Sequence, residues 1–208
     1  MKDSLHTLLY AVVLGLICAT ALTAVDRFTA DRKEANAKAE KIRNILGVLG
    51  VPFNSDASSE DLVKIYNDNV SEKPLGKLTT YVYRSSSGNS DVEAVAVPFA
   101  GPGLWGPIKG FLALDMDKET IVGITFYQQE ETPGLGGEIV SPSFRRQFEG
   151  KTIRDIKGNP GILIRRGGAK YPNGVNAMTG ATMTCDKVEA MLNIVINRIV
   201  QERDKHGR

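Results

Sequence analysis

The chain has 208 residues, a formal net charge of +2, 24% charged residues and 42% hydrophobic ones. That composition is ordinary for a folded domain, and lysines and arginines interleaved with acids argue against a nucleic-acid-binding protein. Two cysteines and two histidines form no CxxC or Cys/His cluster, so no metal site is expected from this chain. Cys18, in an apolar run, reads as a small helix residue, because Gly15-Leu16-Ile17 before it fits a lipoprotein signal poorly. Cys185 reads as a free thiol without a catalytic role.

Ser4 to Val25 carries no Asp, Glu, Lys or Arg and is mostly Leu, Val, Ile and Ala. Such a run is long enough to cross a bilayer as a helix. Ala19-Thr20-Ala21 offers the competing reading of a cleaved signal peptide. Asp26 to Leu46 continues as a helical pattern without Pro or Gly, which favours a retained anchor. Lys2 stands alone before the span, while Arg27, Arg32, Lys33 and Lys38 follow it, and by count alone the large domain would face the cytoplasm.

Ala30 to Leu49 is expected to be a helix whose last part repeats Ile42, Ile45, Leu46 and Leu49 at helical spacing, weakened by Gly47 and Gly50 and ended by Pro52. Ser58 or Ser59 can cap a short helix, Glu60 to Asn69, with Leu62, Ile65 and Tyr66 on its apolar face. Strands follow at Leu78 to Arg84 and Val92 to Phe99, joined by a turn at Ser85 to Asn89. Gly101 to Pro107 is expected to be a loop that regular structure cannot occupy. Lys109 to Leu114 and Ile121 to Gln128 form a hairpin pattern across Asp115 to Thr120. A short helix at Ser143 to Phe148, a short strand at Gly161 to Arg165 and a long helix from Asp186 to Gln201 complete the chain. Val188, Met191, Leu192, Val195 and Ile199 share one face of that last helix. The fold class is α+β: an N-terminal transmembrane helix followed by one domain with an antiparallel sheet covered by helices. The expected divisions are 1–29 for the anchor (span about 5–25), 30–75 for a helical connector and 76–208 for the main domain.

Two segments carry candidate chemistry. Asn176-Ala177-Met178-Thr179-Gly180-Ala181-Thr182-Met183-Thr184 puts hydroxyls around a glycine at a helix entrance. Open amides and the positive end of the helix dipole suit such an entrance to a phosphate, although plain N-capping by a threonine uses the same residues. Glu130-Glu131-Thr132-Pro133-Gly134-Leu135-Gly136-Gly137-Glu138 holds an apolar side chain out of a glycine-rich loop, which fits either a ligand wall or a surface turn. Gly103-Leu104-Trp105-Gly106 offers an aromatic and an aliphatic side chain from a second such loop.

Taken together, these segments resemble the FMN-binding subunits of sodium-translocating NADH:quinone oxidoreductase (Nqr) and of the related Rnf complex, whose G subunit is the alternative. Attachment motifs in that family read Asp-x-x-Ser/Thr-Gly-Ala-Thr, and Thr179-Gly180-Ala181-Thr182 matches the tetrapeptide. The Glu131 to Glu138 loop, Gly103-Leu104-Trp105, Gly110-Phe111-Leu112-Ala113-Leu114 and Arg43-Asn44-Ile45-Leu46 are similar to the family in the same order. Glu138 and the Gly-Leu-Trp loop point to the C subunit of the sodium pump. Asn176 departs from the motif, which has Asp there.

The resemblance implies one FMN bonded through its phosphate to Thr182, with no catalytic residue and no metal in the finished protein. It places Leu104, Trp105, Thr132, Gly134, Leu135 and Gly136 near the flavin ring, and Thr179, Gly180 and Ala181 near the phosphate end. It implies an electron carrier relaying electrons from NADH toward quinone with sodium transport, membrane subunits as partners and a flavin transferase for maturation. It also implies a single-pass protein of the inner membrane with its flavin domain on the periplasmic side, against the Lys/Arg count. The reading from another class is a non-redox, membrane-tethered assembly module.

Overall fold

The computed structural model describes residues 2–76, 78–84, 93–115 and 117–206. The chain divides into two compact units, Met1–Ala39 and Glu40–Arg208. Helix α1 (Lys2–Val48) supplies all of the described part of the first unit, and its apolar side chains between Leu5 and Phe28 are exposed. It is long and apolar enough to cross a membrane. Thr20, Thr23 and Thr29 turn their hydroxyls back onto carbonyls four residues earlier, so these polar groups are satisfied within the helix.

The second unit begins with the end of α1. Gly50, with φ of 72°, closes that helix in the left-handed region. Val51 N–H then donates to Leu46 O and Gly50 N–H to Gly47 O, which satisfies carbonyls the helix end would leave open. Helix α2 (Ser59–Asn69) is capped by Ser58, whose Oγ accepts from Asp61 N–H at 3.1 Å.

Five strands form one antiparallel meander in sequence order: β1 (Val70–Leu75), β2 (Leu78–Arg84), β3 (Glu93–Pro102), β4 (Pro107–Leu114) and β5 (Ile121–Gln128). Strand β1 has no counterpart in the expected elements, and the sheet therefore starts inside the stretch read as a helical connector. Ser71, Glu72, Lys73 and Pro74 give it no apolar alternation, and it survives as an edge strand, where Pro is tolerated. Regular structure also reaches further around the Gly-Pro loop than expected. Pro102 pairs with Pro107, and only Gly103 to Gly106 remain as a tight connection closed by Gly103 N–H to Gly106 O at 2.8 Å. The turn expected at Ser85 to Asn89 lies outside the described residues, as does Val92.

Alternation along β3 and β4 builds two cores. Val95, Val97, Phe99, Leu112 and Leu114 join one with α3 (Pro142–Arg145) and α4 (Thr182–His206). Ala94, Ala96, Phe111 and Ala113 join the other, with Ile42, Ile45, Leu46 and Leu49 at the end of α1 and Leu62 of α2. The sheet is thus covered on both faces, the α+β arrangement expected. Two short strands, β6 (Leu163–Ile164) and β7 (Gly174–Val175), pair in parallel. Helix α4 starts four residues before its expected first residue, and Val188, Met191, Leu192, Val195 and Ile199 are all buried in the first core. Burying five such side chains stabilises this docking by roughly 1.5–3 kcal/mol each before entropy is counted.

Candidate functional site

Three segments meet at the start of α4: the β3–β4 connection, the loop after β5 and residues 180–184. They enclose a cleft of about 280 Å³. Leu104, Trp105, Thr132, Leu135, Gly136, Gly180, Ala181 and Thr182 all line it, together with Glu131, Met183 and Thr184. Gly134 and Thr179 do not line it; each sits in the turn that delivers a lining residue.

Those two turns share one design. Leu135 N–H donates to Thr132 O across Pro133-Gly134, and Gly134 has φ of 74°. Ala181 N–H donates to Met178 O across Thr179-Gly180, and Gly180 has φ of 77°. A fixed or ordinary residue followed by one at positive φ is the pattern of a type II turn, where glycine is strongly favoured. The turns face each other, because a Cβ on Gly180 would lie 3.0 Å from Leu135 Cδ2.

The entrance to α4 carries no side-chain cap. Ala181 precedes the first helical residue, and the first amide to find a helical partner is Cys185 N–H, which donates to Ala181 O at 3.0 Å. The amides of Thr182, Met183 and Thr184 are left open at the positive end of the helix dipole. Threonine N-capping, the alternative use of this segment, is not adopted. Among the described residues, the hydroxyls of Thr179 and Thr182 make no hydrogen bond, and Thr184 Oγ1 donates away to Glu131 Oε2 at 2.5 Å. Thr182 is exposed and lines the cleft.

Glu131 is the residue that sequence reasoning quotes only as part of a loop and does not place in the site. It is 5% exposed. Its Oε1 accepts from Leu104 N–H at 2.7 Å and Trp105 N–H at 3.3 Å, while its Oε2 accepts from Thr184. One carboxylate therefore ties the β3–β4 connection to the first turn of α4. The close packing needs glycines: a Cβ at Gly103 would lie 2.5 Å from Glu131 Oε1, and one at Gly136 would collide with Thr184 Oγ1. The signal available in the sequence is the pairing of an acid with glycines in two separate loops; that they meet is a tertiary fact.

Around this cleft Leu104, Trp105, Leu135 and Met183 are 42%, 70%, 45% and 58% exposed. Four large apolar side chains left in water around one opening mark a surface that something else covers. Asn176 is exposed; its Oδ1 accepts from Ala169 N–H at 3.2 Å, and its own N–H donates to Gln147 Oε1. An aspartate oxygen could accept the same bond, so the local fold does not distinguish the two residues. Cys185 is fully buried, its sulfur accepts from Met178 N–H, and burial pushes the thiol pKa up, all of which makes it inert.

Residues 103–197 match the family described as FMN-binding domain, and the stretch contains every segment of the cleft. The chain is 31% identical over 227 residues to the C subunit of the Na(+)-translocating NADH-quinone reductase of Vibrio anguillarum, covering 90% of this chain and 89% of that relative. A crystal structure of the corresponding protein from Parabacteroides distasonis superposes with a TM-score of 0.68 at 26% identity, covering 82% of this chain and 94% of that one. The crystal structure of Shewanella oneidensis NqrC shares the fold at a TM-score of 0.66 and 22% identity, covering 82% of this chain and 99% of that one. With a fold shared along most of its length and a site lying inside the matched domain, the chain belongs to the family of Na(+)-translocating NADH-quinone reductase C subunits.

Proposed function

We propose that this chain is an electron-carrier subunit that holds one FMN, esterified through its phosphate to Thr182, in the cleft at the start of α4. The observation that carries the reading is the coincidence of an exposed threonine hydroxyl, three open amides and an apolar-rimmed cleft at one point. A phosphate fits this entrance because the amides of residues 182–184 have no competing side-chain cap. The Thr182 Oγ1 would attack the FMN-side phosphorus of a flavin dinucleotide brought by a transferase. The Thr–O–P bond forms as the pyrophosphate P–O bond breaks, the nucleoside monophosphate leaves, and the hydroxyl proton passes to the transferase. Leu104, Trp105, Thr132 and Leu135 would hold the ring, with Gly134 and Gly136 shaping that wall, and Thr179, Gly180 and Ala181 would shape the phosphate end. Bound FMN would supply the electron chemistry, so the chain itself needs no general base.

The relatives' name supports the further reading that electrons pass from NADH toward quinone with sodium transport, among other membrane subunits. In this reading α1 is a retained single-pass anchor in the inner membrane, and the flavin domain faces the periplasm. Ion translocation would belong to polytopic partners, since a single apolar helix makes no ion path.

Flavin fluorescence of the denatured band on a gel tests the attachment after coexpression with the transferase. The wild-type band fluoresces and Thr182→Val is dark. A Thr182→Val band as bright as wild type would move the acceptor elsewhere. A dark wild-type band would leave the non-redox assembly reading standing.

A further inference from the structure

A second cleft, of about 540 Å³, lies among the last turns of α1, the outer part of β5 and the α3 region. It shares no lining residue with the flavin cleft. Among the described residues, two buried side-chain polar atoms lack a hydrogen-bond partner, Thr125 Oγ1 and Arg145 Nε, and both residues line this one cleft. Buried polar groups are satisfied almost without exception, so two orphans in one place call for a missing partner. Thr125 is 5% exposed, and a valine would fill its space without the polar cost.

The wall is mixed. Arg43, Arg145 and Arg146 line it together with Glu40 and Glu149, and Val48 and Val122 supply apolar surface. Arg43 is already occupied with the carbonyls of Ser55 and Ala57, and Glu40 accepts from Asn44. Arg145 and Arg146 form no ion pair among the described residues. An N–H and an O–H that both lack acceptors ask for an oxygen with several lone pairs, and a guanidinium is shaped to receive a carboxylate. The glutamates and the apolar wall suit a peptide carrying that carboxylate better than a free anion.

We propose that this cleft is the docking site for a carboxylate-bearing peptide segment of a partner subunit. Arg145 would turn its guanidinium out to the incoming carboxylate, and Thr125 would donate its hydroxyl to the same group. Arg146 would meet the segment at the rim, and Val122, 38% exposed, would be covered by it. The inference rests on the chain working as one subunit of a larger complex.

The test uses the membrane complex purified through a tag on a different subunit. A photo-crosslinking amino acid replaces Val122, and a control places it at Ile156, which is 81% exposed and outside the cleft. Position 122 crosslinks to a segment of another subunit that contains Asp or Glu, identified by sequencing the joined peptide; position 156 does not reach that segment. In parallel, Thr125→Val leaves the melting temperature of the full-length chain in detergent unchanged or higher, yet weakens its association in the complex by about 5-fold. A merely structural hydroxyl would not separate those two readouts. Crosslinks from position 122 confined to its own chain, joined peptides without an acid, or unchanged association of Thr125→Val would each overturn the docking site alone. Absence of the chain from the purified complex would remove both this inference and the subunit reading, whereas the flavin assay on the chain would be unaffected.

Discussion

Glu131 joins three segments with one carboxylate: its own loop, the β3–β4 connection and the first turn of α4. Both oxygens of the Glu131 carboxylate accept hydrogen bonds, and the side chain lines the cleft proposed for the flavin. A negative charge beside an electron acceptor disfavours the incoming electron. Glu131→Gln is therefore expected to raise the midpoint potential of the loaded protein, on the order of tens of millivolts. It also costs about 1–3 kcal/mol of stability, because bonds to a carboxylate are replaced by weaker ones to a neutral amide and Thr184 must turn from donor to acceptor, and denaturant melts measure that part. An unchanged potential with only lowered stability would reduce Glu131 to a structural tie. The neighbouring glycines are legible from sequence as permissive positions, but their reasons differ. Gly134 and Gly180 are set by positive φ, whereas Gly103 and Gly136 are set by the approach of Glu131 and Thr184. Sequence shows the glycine and not which of the two causes applies.

At the scale of elements, periodicity carries what local physics controls. The faces of α4 and of the end of α1 follow directly from apolar spacing, and each expected residue is in a core. Strand β1 is invisible in the sequence because its edge position needs only backbone pairing and no alternating pattern. The early start of α4 at Thr182 is also hidden, since Ala181 offers no capping signal; the missing cap is itself the functional clue. The far end of the same helix is held differently. Glu119, in the β4–β5 connection, accepts from Arg203 Nη1 at 2.6 Å and Arg154 Nε at 3.0 Å. The hydrogen bonds from Arg203 and Arg154 hold its carboxyl below the usual glutamate range. A depressed folded-state pKa gives stability that is present above the unfolded value, about 4.3, and is lost as pH falls through the lower folded value. Melting temperature should thus drop more steeply below about pH 4.3 for the wild type than for Glu119→Gln, which lacks the titration. Parallel curves for the two proteins would show that the group contributes no such linkage.

Over the whole chain, one helix long and apolar enough to span a bilayer precedes a unit whose proposed flavin cleft is assembled from residues about 80 positions apart in sequence, Leu104 to Thr184. The individual motifs are readable, and their order along the chain matches the family, but only the meander brings the β3–β4 connection beside the start of α4. Which side of the membrane the cleft faces is decided by partners as much as by the Lys/Arg count. The buried Cys185 cannot report it, so an exposed site is required. With Cys18 replaced by Ser, Ile156→Cys is expected to react with a membrane-impermeant thiol reagent on intact spheroplasts. Labelling that appears only after lysis would put the domain in the cytoplasm.

The electron-carrier reading depends on what Thr182 carries. Intact-mass measurement of the full-length chain, coexpressed with a flavin transferase and followed by peptide mapping, addresses that most directly. The expected species is heavier by one FMN less one water, with the added mass on Thr182, and its unmodified remainder shrinks in Asn176→Asp. A chain of unmodified mass that releases its flavin on denaturation, or an adduct on Thr179 or Thr184, would contradict it.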